Sequence, residues 1–367
     1  MSASIPDTML AVAQEGKAKE FVQNSPAFTG SRHPEMQAAV LKVKVPELEE
    51  NDVLVKVEYA AQNPTDWKHS ANMSPPGAII GCDFSGTVVK LGPNPKVSLR
   101  VGDRVAGCVH GGLFEDKGSY AQYLRAQSDL VFRVPEGLGM AEAATYGVAM
   151  NRRCKSHYNT DTVTAQFLIY GASSSVGLFA VSLAKAMGYR VIAICSPHSY
   201  DLVKSYGADH ALDYRHGVSV GDEVKRISGG GVVRGLDTIS EDDSFEIALS
   251  GFKEGAKEAQ LNVILPPSKE ALEIRKDVKV VFTLMYTLFG KEFNMTPLAP
   301  EPSTIGVVPG DREFGAEINK HTPELITKFG VKANPVKIRG TLHDVTDGWQ
   351  DQRDGKVSGV KLVYKVE

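Results

Sequence analysis

QFLIYGASSSVGLFAVSLAKAMGYRVIAICS, Gln166 to Ser196, is the stretch that decides the fold. Phe167–Tyr170 is a short apolar run of strand type, and Gly171–Gly177 is a run of tiny residues with room for a backbone turn. From Val176 the apolar positions Phe179, Ala180, Leu183, Ala184 and Met187 recur at helical spacing. Gly188 stops that helix, and Val191–Ile194 reads as a second buried strand. Such a strand–helix–strand unit aims backbone N–H groups and the positive end of a helix at a phosphate. The fingerprint G-x-G-x-x-G is incomplete: Gly171 and Gly177 are present, with Ser173, Ser174 and Ser175 between them. Serine hydroxyls can donate to phosphate, so Ser173, Ser174, Ser175 and Val176 are expected to cradle one. The plain alternative is a βαβ turn with no ligand.

The next turn bears on which dinucleotide fits. Where NAD-binding folds place a carboxylate for the ribose 2′-OH, this chain has Cys195, Ser196, Pro197, His198, Ser199 and Tyr200, with Lys204 one helical turn on. Asp201 comes later, in the following helix. A carboxylate would repel a 2′-phosphate, whereas hydroxyls, an imidazole and an ammonium would bind one. NADPH is therefore expected over NADH, held by Ser196, His198, Ser199 and Lys204. Helix capping alone would also explain Ser196 and Ser199.

A length of 367 residues suggests two domains of ordinary size. Apolar content of 42% and charged content of 23% are those of a globular chain. A net charge of −3 with no long basic run gives no footprint for nucleic acid. Cys82, Cys108, Cys154 and Cys195 form neither a C-x-x-C pair nor a disulfide framework. MSASIPDTML lacks a signal pattern, and no apolar run reaches membrane-spanning length, so a reducing cytosol is the expectation.

Ala38–Val45 and Asp52–Ala60 read as strands, the latter with alternation at Val53, Val55 and Val57. Turn-rich stretches follow: NPTDWK (Asn63–Lys68), Ser74–Gly92 and VGDRVAG (Val101–Gly107), so the first part is expected to be β-rich. From about Ala141 strands and helices alternate. The strands Phe167–Tyr170, Val191–Ile194, His210–Asp213, Leu236–Thr238 and Leu261–Leu265 predict a doubly wound parallel sheet. The Pro-rich TPLAPEPS (Thr296–Ser303) closes it, Glu313–Phe329 reads as a helix, and Val360–Val366 as a terminal strand.

Together these motifs resemble the medium-chain dehydrogenase/reductase superfamily over nearly the whole chain. The resemblance rests on NPTDWK, GCDFSGTVV (Gly81–Val89), VGDRVAG, GSYAQY (Gly118–Tyr123), the βαβ unit, GAD (Gly207–Asp209), DYR (Asp213–Arg215) and GKVSGVKLVY (Gly355–Tyr364). Within it the chain is most similar to the zinc-free fungal enoyl reductases, including the trans-acting reductases of polyketide synthesis. The implied fold class is α/β: a GroES-like β-rich catalytic domain over 1–145, a Rossmann doubly wound parallel-sheet domain binding NADPH over 146–303, and a return to the catalytic domain over 304–367. A monomer is implied rather than a homodimer.

Zinc-dependent relatives place a Cys where this chain has Asn63-Pro64-Thr65-Asp66, and a His-Glu pair where it has Cys82-Asp83. A catalytic zinc needs three protein ligands, so no metal is expected and Cys82 is read as a small buried hydrophobe. Reduction of a C=C bond conjugated to a carbonyl then needs a hydride donor, stabilisation of the enolate, and a proton for the α-carbon. Lys68 is expected to stabilise the enolate oxygen or bond a ribose hydroxyl. Asn63, Thr65 and Asp66 are expected on the nicotinamide side. Enoyl thioester reductases of mitochondrial type carry a tyrosine shortly after this segment, but this chain has none between Tyr59 and Tyr120. Water or the hydroxyl of Thr145 is the expected proton source.

By resemblance, Tyr214 stacks on adenine, Ile264 and Leu265 lie at a strand end where cofactors sit, and Val357 and Ser358 neighbour the nicotinamide. Trp67, Tyr146, Met150, Phe282, Leu284, Met285 and Tyr286 are expected to wall the substrate pocket, with core packing as the alternative for each aromatic. Arg152, Arg153, Lys155 and His157 form a basic run suited to an anionic carrier arm or to a solvated helix face. The expected activity is NADPH-dependent reduction of a small unsaturated ketone, aldehyde or enoyl thioester. The alternatives are a partner reductase acting on acyl-carrier thioesters, a quinone reductase, and a non-catalytic NADPH-binding protein.

Overall fold

Alternation at Val53, Val55 and Val57 does place those side chains in a core, each at most 2% exposed. The computed structural model describes residues 4–15, 37–151, 165–295 and 304–366. The chain divides into two units. The first comprises residues 1–151, 286–324 and 333–367, and the second 152–285 and 325–332. The expected basic run at Arg152, Arg153, Lys155 and His157, with Cys154, lies outside the described residues, as does the whole Pro-rich stretch Thr296–Ser303.

The first unit is built on a seven-stranded sheet. Asp52–Ala61 pairs antiparallel with Asp83–Leu91, with Lys361–Lys365 and with Tyr123–Gln127. Arg104–Cys108 and Val131–Arg133 extend one side, and Val336–Thr341 pairs parallel with the C-terminal strand on the other. Thr8–Gln14 and Ala38–Lys44 form a separate antiparallel pair. The core gathers Phe84, Tyr120, Trp349, Tyr364 and the alternating valines. Fully burying side chains of this size contributes about 1.5–3 kcal/mol apiece.

NPTDWK, read as turn-rich, instead opens a helix over Pro64–Asn72. Proline at the first helical position loses no hydrogen bond there and presets φ, and Asn63 is the N-cap residue. Asp66, three residues on, reaches back to accept the Asn63 N–H at 2.8 Å.

The second unit is a six-stranded, all-parallel sheet in the order His210–Asp213, Arg190–Cys195, Gln166–Tyr170, Arg234–Asp237, Gln260–Val263, Lys279–Phe282. Strand order reverses at Gln166–Tyr170, the kind of switch point where open α/β sheets bind ligands. The last strand was not expected: Lys279–Phe282 is too short and too little alternating to stand out. The helix Ser175–Ala186 buries Leu178, Val181 and Ala184 against the sheet. The helix expected at Glu313–Phe329 spans Asp311–Thr327, and the terminal strand is Lys361–Lys365.

Candidate functional site

The Pro64–Asn72 helix buries most of its surface. Asp66, Trp67, His69 and Ser70 are all at most 7% exposed, while Thr65 and Lys68 are half-buried. Residues three apart on a helix are neighbours on one face, so Thr65 and Lys68 are presented together. The Lys68 ammonium sits 5.8 Å from the Trp67 ring centroid, and the Arg353 guanidinium lies 5.7 Å from the same ring. Trp67 is therefore a packed platform beneath these cations and part of the core, not an open pocket wall.

Thr65 leads inward into a hydrogen-bonded chain. Its Oγ1 is 2.5 Å from the Tyr286 hydroxyl and 3.1 Å from His69 Nε2. His69 Nδ1 lies 3.0 Å from the Gly111 carbonyl oxygen. The Tyr286 oxygen is also 3.8 Å from Cys82 Sγ, and its ring stacks on His110 with centroids 3.9 Å apart. Burial lowers the His69 pKa to about 4 and that of His110 well below the usual histidine range, so both rings are neutral near pH 7. Burial likewise raises the Cys82 thiol and the Tyr286 phenol well above their ordinary values. Beside these rings a pocket of about 50 Å³ is lined by Val109, His110, Phe114, Phe289 and Phe293 among others. That is room for a few waters, not for an acyl chain.

Several expected contacts are internal instead. Asn63 is 5% exposed; its Nδ2 donates to Asp83 Oδ2 at 2.8 Å, and its Oδ1 accepts from Lys361 Nζ at 2.5 Å. Asp66 is 1% exposed, and the carboxylate oxygen that receives Asn63 N–H also accepts from Tyr120 OH at 2.8 Å. It anchors the helix and offers nothing to a nicotinamide. Burial raises its pKa to about 7. Thr145 is fully buried; its hydroxyl donates to the Glu142 carbonyl and accepts from Asn334 N–H, so its one proton is committed. Tyr146 and Met150, 1% and 2% exposed, are core residues, with Tyr146 edge-on to Phe132.

These side chains do not fit a catalytic zinc. Asp83 Oδ1 accepts Val148 N–H, Oδ2 accepts Asn63, and the Lys361 ammonium lies 3.3 Å from Oδ2. A buried ammonium already supplies the positive charge there, and it would repel a divalent ion. Among the described residues no group of three or more His, Cys, Asp or Glu could hold a metal.

In the second unit, the turn after the first strand admits no side chain at two positions. Gly171 has φ +68°, and a Cβ there would lie 2.5 Å from Thr238 Oγ1. A Cβ on Gly177 would lie 2.4 Å from the Gly171 carbonyl. Ser174 caps the helix by accepting Gly177 N–H at 3.0 Å. Thr238 donates to the Tyr170 and Gly171 carbonyls, so the 2.8 Å contact between Ser174 and Thr238 takes the Ser174 proton. Ser174 is thus a cap with no proton left for a phosphate. Ser173, Ser175 and Val176 remain half-buried around it. Nearby, Ser240 holds φ at +57° between Asp237 and Ile264, whose N–H donates to Ser240 Oγ. Such a strained backbone at the carboxyl end of a parallel strand is common where ligands bind.

At the end of the second strand Ser196 is half-buried, His198 and Lys204 are exposed, and Ser199 is buried at 3%. Tyr214 is 38% exposed and edge-on to Tyr170. A carboxylate does stand here, on the neighbouring strand: Asp213 pairs in register with Cys195. Arg215 clamps it with bonds of 3.0 and 2.9 Å, so its charge is matched. Ile264 and Leu265 are half-buried just past the strand end at Val263. Phe282 is 36% exposed at the end of the outer strand, Leu284 is half-buried and Met285 is buried. Val357 packs on the first unit's core, and Ser358 is exposed.

Sequence reasoning missed His69, His110 and Arg215. The i,i+4 spacing of Thr65 and His69 was a usable signal for the first. Nothing local signals that Tyr286 bonds Thr65.

Two family models match: the alcohol dehydrogenase GroES-like domain at residues 49–136 and the zinc-binding dehydrogenase at residues 175–297. The trans-enoyl reductase ACTTS2 of Alternaria alternata is 35% identical, covering 90% of this chain and 96% of its own. The trans-enoyl reductase resD of Aspergillus sclerotiorum is 32% identical over 92% and 99%. Among solved structures, a putative zinc-dependent alcohol dehydrogenase of Rhizobium etli superposes with a TM-score of 0.74 at 21% identity, over 98% of each chain. The CurK enoyl reductase does so with a TM-score of 0.71 at 16% identity, over 99% and 100%.

Proposed function

Because this chain belongs to the medium-chain dehydrogenase/reductase superfamily, among the fungal trans-enoyl reductases, we propose that it reduces the C=C bond of α,β-unsaturated thioesters and carbonyl compounds with NADPH. The observation that carries this reading is identity of 35% sustained over 90% of the chain to a trans-enoyl reductase. We take the enzyme to be zinc-independent, cytoplasmic and monomeric, and its substrates to include chains borne on an acyl-carrier domain.

When bound, the dihydronicotinamide supplies a hydride to the β-carbon. The protein's part is to bind, orient and stabilise. The backbone turn Gly171–Gly177 fits a pyrophosphate because two close approaches admit no Cβ. Ser196, His198 and Lys204 would hold the 2′-phosphate, with Tyr214 at the adenine. Thr65 and Lys68 are the half-buried polar pair of the Pro64–Asn72 helix. The Lys68 ammonium would stabilise the enolate oxygen or bond a ribose hydroxyl, and a cation so placed is worth several kcal/mol at a developing oxyanion. With the Thr145 hydroxyl committed inside the core, water is the proton source for the α-carbon.

The test is NADPH oxidation with enoyl thioesters, carrier-bound and free, and with small enones, each in the presence of a chelator. Turnover that survives the chelator and falls at least about tenfold in Lys68→Ala, with the fold intact by circular dichroism, supports the reading. Protein that binds NADPH yet turns over no enone or enoyl thioester refutes it. Preference for carrier-bound substrate identifies a partner reductase.

A further inference from the structure

We propose that His69 and Tyr286 are positioning residues that present the Thr65 oxygen to a bound ligand as a hydrogen-bond acceptor, so that the site selects a ligand offering a hydroxyl or amide N–H there. This rests on the reading above for the identity of the ligand, the nicotinamide riboside half of NADPH. The direction of the bonds does not depend on it.

The direction follows from one fixed end. The Gly111 carbonyl oxygen can only accept, and His69 Nδ1 lies 3.0 Å from it, so Nδ1 carries the proton. A neutral imidazole has one N–H, which leaves Nε2 bare and able only to accept. Thr65 Oγ1, 3.1 Å from Nε2, must then donate its single proton to it. With that proton spent, the 2.5 Å contact to Tyr286 is made by the tyrosine hydroxyl donating to Thr65. The Tyr286 oxygen in turn faces the Cys82 thiol at 3.8 Å. Reversing the Thr65–Tyr286 bond would set the bare Nε2 against a threonine lone pair, two acceptors with no proton between them. Only one assignment satisfies every buried atom, and it runs from Tyr286 through Thr65 to His69 and Gly111.

The consequence falls on Thr65, the one member of the chain that is not buried. Its proton points inward and one lone pair is filled from behind by Tyr286. What remains for a ligand is an acceptor. A ligand carbonyl at that place would meet a lone pair, whereas a ribose hydroxyl or carboxamide N–H would be bonded. Thr65 is also thereby removed as a proton source for the reaction, since its hydroxyl is turned away from anything bound outside.

Two measurements on the full chain test this. Nitrogen-15 NMR of the wild-type protein near neutral pH reads the His69 tautomer. A pyridine-type Nε2 with a protonated Nδ1 is expected, and a protonated Nε2 overturns the proposal whatever the ligand is. Titrations by NADPH fluorescence then compare NADPH with two analogues, one with acetyl in place of the carboxamide and one lacking the 2′-hydroxyl of the nicotinamide ribose. The wild type is expected to bind NADPH at least about tenfold tighter than one of them, the equivalent of about 1.4 kcal/mol. That ratio should fall below about threefold in Thr65→Val and in His69→Leu, and return in Thr65→Ser. An unchanged ratio in Thr65→Val overturns the proposal even where His69→Leu fails to fold. If the protein ignores NADPH altogether, the functional reading fails, and the tautomer alone decides the direction of the chain.

Discussion

Asp66 and His69 lie one helical turn apart, both buried, and they titrate in opposite senses. Burial holds the Asp66 carboxyl at about 7 in the folded protein, against an ordinary 3.8. A raised folded value means that the group's contribution to stability is full below about pH 4 and is lost as the pH rises to about 7. The loss amounts to roughly 4 kcal/mol. Burial holds His69 at about 4, against an ordinary 6.5. A base whose folded value is depressed contributes fully above about pH 6.5 and loses that contribution as the pH falls toward 4, by about 3 kcal/mol. Across about pH 4 to 6.5 the two slopes oppose and largely cancel, so this pair leaves the wild type nearly flat. Asp66→Asn removes only the slope that falls with pH. The asparagine oxygen still accepts from Asn63 N–H and Tyr120 OH, while its amide nitrogen lands where the second carboxylate oxygen has no partner. That orphan costs about 1–3 kcal/mol at every pH, so the slope is the readout and not the offset. Relative to wild type, Asp66→Asn should gain about 3 kcal/mol between pH 4.5 and pH 7, roughly, and His69→Gln should lose a similar amount over the same window. Urea unfolding followed by circular dichroism at several pH values measures both, and the other titrating groups cancel in the differences. If Asp66→Asn runs parallel to wild type within about 1 kcal/mol across the window, the carboxyl is not held as described and the reasoning fails.

Three other outcomes are expected. Lys361→Met strips the ammonium from Asp83, which is 0% exposed, and should lower the urea-unfolding free energy by about 3–5 kcal/mol. Ser174→Ala removes the cap oxygen that accepts the Gly177 N–H, and the bond to Thr238, and should lower thermal stability by about 1–2 kcal/mol in calorimetry. Lys204→Ala should reduce the ratio of NADPH to NADH affinity about fivefold to tenfold in fluorescence titration, an effect that shrinks at high salt because the side chain is exposed.

How legible the fold was depended on whether its signal was local. The βαβ unit could be read from Gln166–Ser196 because a buried strand, a tight glycine turn and an amphipathic helix each write their own period into adjacent residues. Thr65 and Lys68 were legible as a pair from the same six-residue motif, although its helix was not: Pro64 was read as a turn former when at the first helical position it starts one. Thr145, Tyr146 and Met150 were not separable from core residues, because an apolar helix entry looks the same whether it faces a pocket or a sheet. Asp213 shows the same limit in the other direction. The turn after the second strand has no carboxylate of its own, yet parallel pairing brings one beside Cys195 from the next strand. Tyr286 stands 221 positions from Thr65, and no periodicity connects them.

The two buried polar systems of the Pro64–Asn72 helix explain why its exposed face carries so little. Asp66 ties the first turn to Tyr120 and the N-cap, and His69 ties the next to Gly111. Each is a desolvated group whose bonds would be costly to break, so the helix has little freedom to rotate about its axis. A helix so pinned from behind needs few groups in front. In the assignment proposed above the Thr65 proton is drawn inward and its oxygen is left as an acceptor, while the Lys68 ammonium lies one turn away, 5.8 Å from the Trp67 ring centroid. On the proposed reading, an acceptor that registers a ligand beside a cation suits a reaction in which negative charge appears on a substrate oxygen only as hydride arrives. A divalent metal would supply that charge from a fixed point. Here the Lys361 ammonium is buried against Asp83 and belongs to the scaffold, which is why the proposed role at a substrate oxygen falls to Lys68 on the helix face.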